Sequence, residues 1–331
     1  MRTVITGGCG FIGRALALRL IKTMNTTDEL ILIDTMQRHG EFKEKGLTAH
    51  PNVKIIKADL IDPDSLNAIQ TPVDRLYHLG AIVGVHLVEM DPIQVMKNNT
   101  LSTMYILDWF AQKMNKGARF LFSSSSEVYS GAILANFDIP VPTPETVPIV
   151  LSDIHNPRFS YALSKIWGEA YCSYLGKKGL FAFSVRYHNI YGPGMGFQHV
   201  IPQVLTRILS REDPFRMISP QQTRSFCWIE DAVKATHLVV ESENIKPGMV
   251  VHIGNEDGEI EIEKLYEMLF EASGWHPKEI LREQAQKGSV SRRCPKTESL
   301  HRLTSYTPET SIKTGVEKTV LWYKENSQVI S

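Results

Sequence analysis

Tyr161-Ala162-Leu163-Ser164-Lys165 sets a phenol and an ammonium four residues apart. On a helix that spacing puts both side chains on one face. A phenol ionises near pH ~10 and is a poor base at neutrality, but a neighbouring ammonium favours the phenolate and brings it into a useful range. Upstream, Ser123-Ser124-Ser125-Ser126 offers four hydroxyls and Glu127 a carboxylate. A hydroxyl in such a place can hydrogen-bond an oxygen as it changes between alcohol and carbonyl, and a carboxylate beside it can act as general acid or base. Some of the four serines serve as helix caps, since they cannot all face one substrate.

A YxxxK pair arises by chance on many amphipathic helices, so its weight comes from what precedes it. Thr6-Gly7-Gly8-Cys9-Gly10-Phe11-Ile12-Gly13 joins an apolar strand-like run to a helical one. Glycines at 7, 10 and 13 permit a tight turn, close approach of backbone to a pyrophosphate, and close helix–sheet packing, with the helix N-terminus directed at the anion. Asp34 ends the second strand about twenty residues on, where a carboxylate accepts bonds from ribose hydroxyls and repels a 2′-phosphate. The pattern therefore favours NAD over NADP, and an NADP-dependent reductase is disfavoured. A bound nicotinamide cation would further favour the Tyr161 phenolate.

The elements that must position these groups alternate. Val4–Thr6, Leu30–Ile33, Val53–Ala58, Leu76–Leu79 and Arg119–Ser123 read as strands, mostly apolar and without strict alternation. Helical patterns fall between them at Phe11–Ile21, after Asp62, Asp64 and Ser65, and over Ile93–Met114. Such runs imply a parallel sheet covered on both faces, a doubly wound α/β (Rossmann) fold. The proline-rich segment from Asp138 to Pro148 is a loop, and a helix over Tyr161–Lys177 leads to a strand at Phe181–Arg186. Beyond Asn189 the alternation loosens: Pro193, Gly194 and Gly196 mark a loop, followed by a helix at Ile201–Ser210, a strand at Thr223–Trp228, a helix at Asp231–Glu241 and a strand at Val250–Ile253. The expectation is a dinucleotide domain over 1–186, to which segments around 223–253 return, interleaved with a smaller mixed α/β substrate region over 187–331.

At 331 residues the chain is long enough for about two domains. With 36 basic against 36 acidic residues it has no bias toward nucleic acid or an anionic membrane surface. No apolar run approaches the ~18 residues of a membrane span, and the N-terminus does not read as a signal peptide. Cys9, Cys172, Cys227 and Cys294 are scattered without metal-ligand spacing, which fits reduced thiols in a cytoplasmic protein and no metal site.

Taken together, TGGxGFIG at 6–13, Asp34, Asp59-Leu60, His78-Leu79-Gly80-Ala81, Asn99, SSSSEVY at 123–129, NPRFSYALSK at 156–165, RYHNIYGP at 186–193 and QTRSFCWIEDAV at 222–233 resemble the extended short-chain dehydrogenase/reductases. The likeness is to their nucleotide-sugar epimerases, dehydratases and decarboxylases, over nearly the whole chain. It implies that Ser125, Tyr161 and Lys165 oxidise C4 of a sugar, with Lys165 also on the nicotinamide ribose. It places Gly7, Gly10, Phe11, Ile12, Gly13, Asp34, Asp59, Leu60, Leu79, Gly80, Ala81, Asn99, Tyr161, Lys165, Tyr187 and His188 around NAD. Asn189, Arg224 and Arg293 fall at positions that contact the nucleotide diphosphate, and guanidinium groups suit phosphate chemically. Val83, Gly84, His86, His199 and Val200 complete the substrate side. A homodimer through the helices around 93–114 and 161–177 is also implied, as is a cytoplasmic location.

A C4 ketone acidifies the C5 hydrogen, and from there a C6 carboxylate leaves as CO2, a C6 hydroxyl leaves as water, or C4 is reduced from its other face. Ser126-Glu127 resembles the decarboxylases and 4,6-dehydratases, in which a carboxylate acts at C5 and C6. Arg224-Ser225-Phe226 resembles the version found in UDP-glucuronate decarboxylases and some epimerases. The loop Ile82-Val83-Gly84-Val85-His86, however, does not match the Ser-Pro-rich loop of typical UDP-glucuronate decarboxylases. The favoured reading is a decarboxylase or 4,6-dehydratase. A 4-epimerase is the alternative, and a non-catalytic NAD sensor a remote one, since the tyrosine and lysine are both kept.

Overall fold

The computed structural model describes residues 1–37, 44–67, 69, 72–135, 137–197, 199–284 and 290–326, with the backbone alone at 63, 85 and 86. In chain order the elements are β1 (Arg2–Thr6), α1 (Phe11–Leu20), β2 (Glu29–Asp34), α2 (Lys45–Thr48), β3 (Val53–Lys57), β4 (Val73–His78), α3 (Val85–Met90), α4 (Pro92–Lys113), β5 (Met114–Ser125), α5 (Ser130–Leu134), α6 (Phe159–Lys177), β6 (Ala182–Tyr187) and β7 (Ile190–Tyr191). They continue with α7 (Val200–Leu209), β8 (Phe215–Ile218), β9 (Thr223–Ser225), β10 (Cys227–Trp228), α8 (Ile229–Glu241), β11 (Val250–Ile253), β12 (Glu259–Glu261), α9 (Ile262–Ser273), β13 (Ile280–Glu283), β14 (Arg292–Arg293), α10 (Glu298–Thr304) and α11 (Ile312–Glu325).

Seven strands form one sheet in the order β11-β6-β5-β4-β1-β2-β3. The order reverses beside β1, and β1 pairs in parallel with both β2 and β4. This is the doubly wound parallel arrangement, in which ligands gather outside the carboxyl ends of the strands. Its strands are apolar on both faces because both are covered: Val4, Ile5, Leu30, Leu32, Phe120 and Leu121 are fully buried. Helices α4 and α1 are capped differently. The Asp91 side chain accepts from Gln94 N at 2.9 Å to start α4, whereas α1 starts at Gly10 with no capping side chain.

Two compact units divide the chain. The first comprises Met1–Val128, Asp153–Arg186 and Thr236–Val251, and the second Tyr129–Ser152, Tyr187–Ala235 and His252–Ser331. In the first, Asn99 and Ser164 join α4 to α6 at 3.3 Å and Tyr171 donates to Asp108 at 3.0 Å. The second holds small sheets, β10-β7, β12-β9-β14 and β13-β8, around a core that includes Phe215, Tyr266, Phe270 and Tyr323.

Two expected elements differ. The helix anticipated after Asp62 is a single 3-10 turn, Pro63–Leu66. The Asp62 side chain accepts from Asp64 N and the Asp64 side chain from Asn67 Nδ2, local bonds that compete with helix propagation. The expected strand Thr223–Trp228 is two strands, because Phe226 is where the chain changes partners. Before it, Ser225 pairs with Glu259 on β12; at it, Phe226 N donates to Gly258 O; after it, Cys227 pairs with Ile190 on β7. The loop across 138–148 contains no strand, only an isolated bridge between Thr143 and Pro295. No helix among the described residues is long and apolar enough to cross a membrane.

Candidate active site

The glycine-rich turn lies between β1 and α1 at the carboxyl end of the sheet. Gly7 has φ +64°, and a Cβ there would lie 2.7 Å from Gly80 N. A Cβ on Gly13 would lie 2.2 Å from Gly7 O, so helix and turn touch in a way that excludes any side chain. At Gly10 a Cβ would meet only Gly7 O, at 3.2 Å. That open surface, with the uncapped first turn of α1 behind it, suits a pyrophosphate. Phe11 and Ile12 begin the helix, half-buried.

Asp34 ends β2 and braces the same turn: Oδ2 accepts from Cys9 N at 3.1 Å and Oδ1 from Met36 N at 3.0 Å. Each carboxylate oxygen keeps capacity for a further donor such as a ribose hydroxyl. Burial and the Asp34 charge push the Cys9 thiol up to about 12, so it stays protonated. Asp59 accepts from Ile61 N at 3.2 Å, and a Cβ on Gly80 would meet Leu60 Cδ1 at 3.4 Å. Leu79 N donates to Thr6 O, while Gly80 N donates to the Thr6 hydroxyl at 3.3 Å. Ala81 and Val83 are half-buried, and Gly84 turns with φ +114° into α3. The side chain of His86 lies outside the described residues. Glycine cradle, ribose carboxylate and open helix end are mutually consistent with a dinucleotide.

Beneath this turn lies a buried polar chain. His78 Nδ1 meets Thr6 Oγ1 at 2.7 Å and Nε2 meets Thr103 Oγ1 at 3.0 Å. Burial and the Lys165 charge lower the His78 pKa to about 3, so the imidazole is neutral. Asn99, expected at the cofactor, spends its amide on protein. Its Oδ1 accepts from Ile82 N at 2.8 Å, and Nδ2 donates to Ile82 O and Ser164 Oγ. It shapes the loop after Ala81.

The Tyr161–Lys165 pair stands on α6 against the end of β5. Lys165, 3% exposed, donates from Nζ to Ser123 O at 2.8 Å and lies 5.0 Å from the Phe122 ring and 5.6 Å from the Tyr161 ring. Burial draws its pKa down to about 7, and Glu169 on the next turn pulls the other way. The strand ends at Ser125, whose Oγ accepts from Glu127 N at 3.2 Å in the following turn, while Ser126 is buried. Of the neighbouring hydroxyls, Ser124 is committed to Glu169 Oε1 at 2.5 Å and so is structural. Glu127 lies one-quarter exposed, with Oε2 at 3.9 Å from Arg158 Nε.

The second unit contains its own cleft of about 980 Å³, lined by Asn189, His199, Val200, Arg207, Arg216 and Arg224 among others. Asn189 is held by Nδ2 donating to Ser225 O at 2.8 Å. The Arg224 guanidinium donates to Thr223 O, Val290 O, Ser291 O and Gln222 Oε1, bonds that fix its plane. His199 precedes α7, exposed, with Val200 as its first residue. Arg293 Nη2 donates to Ser130 Oγ at 3.3 Å. Tyr187 ends β6 half-buried, and His188 is 1% exposed with its ring edge-on to His252 at 4.5 Å.

Two residues escaped the sequence reading. Arg158 stands one turn before Tyr161 and beside Glu127; Glu169 stands one turn after Lys165. The signal for both was the helical spacing 158, 161, 165, 169, which runs along one face.

The chain matches the model of the NAD dependent epimerase/dehydratase family over residues 3–254. It is 28% identical over 98% of its length to UDP-N-acetyl-alpha-D-glucosaminuronate decarboxylase of Bacillus cytotoxicus, of which it covers 98%. A crystal structure of UDP-galactose 4-epimerase is 26% identical with a TM-score of 0.80, covering 98% of this chain and 99% of that one. The NAD-bound structure of dTDP-glucose 4,6-dehydratase DesIV from Streptomyces venezuelae shares the fold at 23% identity and a TM-score of 0.84, covering 99% of this chain and 98% of that one. The glycine cradle, the paired tyrosine and lysine and the matched model agree, and the chain is an enzyme belonging to the NAD-dependent epimerase/dehydratase family.

Proposed function

We propose that this enzyme oxidises C4 of a nucleoside-diphosphate uronic acid with NAD and then releases C6 as CO2. The observation that carries the choice of a uronate is the Glu127–Arg158 pair: a partly exposed guanidinium one turn before Tyr161, next to the carboxylate that follows Ser125. A long ion pair of this kind is weak in itself and leaves the arginine able to accept a better-placed anion. A sugar carboxylate is such an anion, and a full-length relative is a uronate decarboxylase.

The cofactor is assigned to Gly7, Gly10, Gly13, Asp34 and Lys165. NAD held there supplies a nicotinamide that takes hydride from a carbinol carbon and can return it. Tyr161, as phenolate favoured by Lys165, removes the C4 hydroxyl proton, and Ser125 hydrogen-bonds the same oxygen. With a ketone at C4, the C5–C6 bond breaks, its electron pair passes to the C4 enolate and C6 departs as CO2. Glu127 delivers a proton to C5, and Tyr161 returns its proton to the C4 oxygen when the ketone is reduced. Within the second unit, Arg224 is the group whose planar guanidinium suits a phosphate.

Calorimetric titration of UDP-glucuronate and UDP-glucose tests the carboxylate reading. The wild type should prefer the uronate, and Arg158→Met should reduce that preference by about ten- to a hundredfold, the worth of one charge-assisted bond. Equal affinities in the wild type would remove the uronate. The second reading, C4 epimerisation, follows if Arg158 merely ties Glu127 to α6.

A further inference from the structure

The reacting groups account for Tyr161, Lys165, Ser125 and Glu127, but not for a buried ionic cluster directly behind them. Glu169 is 7% exposed, and both of its oxygens take guanidinium bonds from Arg186 on β6, at 2.8 and 2.6 Å. Arg186 is itself 4% exposed at its side chain. The same Glu169 Oε1 accepts the Ser124 hydroxyl from β5. One carboxylate on α6 therefore grips two neighbouring strands of the sheet, one residue before Ser125. An ion pair this deeply buried is costly to assemble and brings little net stability over an apolar pair of similar volume. Its presence calls for another reason.

That reason lies four residues back on the same helix. Lys165 is surrounded by the Phe122 ring and the Ser123 carbonyl from β5, by neutral His78 from β4, and by Tyr161 and Glu169 from α6. Glu169 is the carboxylate that favours the Lys165 charge, and Arg186 is bonded to it. Tyr161 needs a charged Lys165 to become a phenolate, yet burial works against that charge.

We propose that Glu169 is a positioning residue for the Tyr161–Lys165 pair: clamped by Arg186 and Ser124, its carboxylate keeps the Lys165 ammonium charged and holds the end of β5 in register with α6. The inference rests on the reading that Tyr161 and Lys165 perform the C4 oxidation.

The first test needs no substrate. In protein labelled with ¹⁵N-lysine, the Lys165 Nζ resonance, assigned by its loss in Lys165→Met, is titrated in the wild type and in Glu169→Gln. The expected result is a midpoint lower by about one pH unit in the variant. With UDP-glucuronate, kcat should fall and the alkaline limb of its pH profile should move down by the same amount, while KM is retained because Glu169 touches no substrate. Where Glu169→Gln fails to fold around an unbalanced Arg186, Glu169→Met combined with Arg186→Met removes both charges together and should move the Lys165 midpoint in the same direction by a smaller amount, since losing the Arg186 charge partly offsets losing the nearer carboxylate. A folded variant whose Lys165 midpoint and kcat profile coincide with the wild type would overturn the proposal. Full turnover by Tyr161→Phe would instead sink the catalytic reading on which it rests, and the Lys165 titration would still report on Glu169.

Discussion

Helix α6 crosses β5 at Gly168, and this contact sets where Tyr161 and Lys165 stand relative to Ser125. A Cβ at Gly168 would fall 2.2, 2.6 and 2.8 Å from Cζ, Cε1 and Cε2 of Phe122. The ring has nowhere to retreat: it is 1% exposed and stacked on His78 at 6.0 Å. Restoring ordinary contact at 3.4 Å requires about 1.2 Å of separation, the difference between 3.4 and 2.2. Gly168→Ala therefore has two opposed effects on stability. Overpacking costs about 1–3 kcal/mol, and alanine gains about 1 kcal/mol over glycine inside a helix, leaving a net loss of roughly 0–2 kcal/mol. Catalysis has no such offset. A shift of the order of 1 Å between reacting groups can cost about a hundredfold in rate. The expected signature is a small decrease in urea midpoint together with a fall in kcat of about two orders of magnitude, with KM for UDP-glucuronate little changed. Gly168→Ala with kcat within twofold of the wild type would refute the claim that this contact sets the catalytic register.

Three further outcomes follow from the site. Tyr161→Phe should lower kcat by about 10²–10⁴-fold with NAD affinity by fluorescence titration nearly intact; loss of NAD binding would make Tyr161 a cofactor contact instead. Glu127→Gln should still oxidise C4 and release CO2, but with no donor for C5 the enolate persists, so reduced cofactor should accumulate and formation of the final sugar nucleotide should slow; wild-type turnover would remove Glu127 from the chemistry. His78 resists protonation in the fold down to about pH 3, whereas in the unfolded chain it titrates near 6.5. The unfolded state thus binds the extra proton, so His78 subtracts stability as pH falls below 6.5, by about 1.4 kcal/mol per pH unit. Urea unfolding at pH 7 and about pH 4.5 should show a smaller acid loss for His78→Asn than for wild type, and equal losses would contradict this.

Much of the dinucleotide half was legible because local rules and tertiary structure agree there. The turn at Gly7–Gly13 is dictated by close backbone contacts, and the centres of β1 and β2 are apolar because a parallel sheet buries both faces. The Tyr161–Lys165 spacing carried across unchanged, since it depends on helical period alone. Legibility failed where partners are remote in sequence. Nothing near Phe226 tells it to change from β12 to β7, which are supplied by residues 259–261 and 190–191. Strands β13 and β14 are short, half-exposed and paired with residues tens of positions away, so neither carries a period that can be read. Glu169 reads as an ordinary helical charge until the fold brings Arg186 and Ser124 to it. Asn99 was expected at the cofactor through the family resemblance; its bonds to the Ile82 backbone could not be read, because Ile82 belongs to a loop with no pattern.

The decisive measurement is the mass and isotope content of the product formed from UDP-glucuronate and UDP-N-acetylglucosaminuronate with NAD in deuterated water. Decarboxylation through a C4 ketone gives a sugar nucleotide lighter by one CO2 and carrying solvent deuterium at C5, with no net change in NAD. An isomer of unchanged mass without deuterium would establish epimerisation at C4 and contradict both Glu127 as the proton donor to C5 and Arg158 as the partner of a sugar carboxylate.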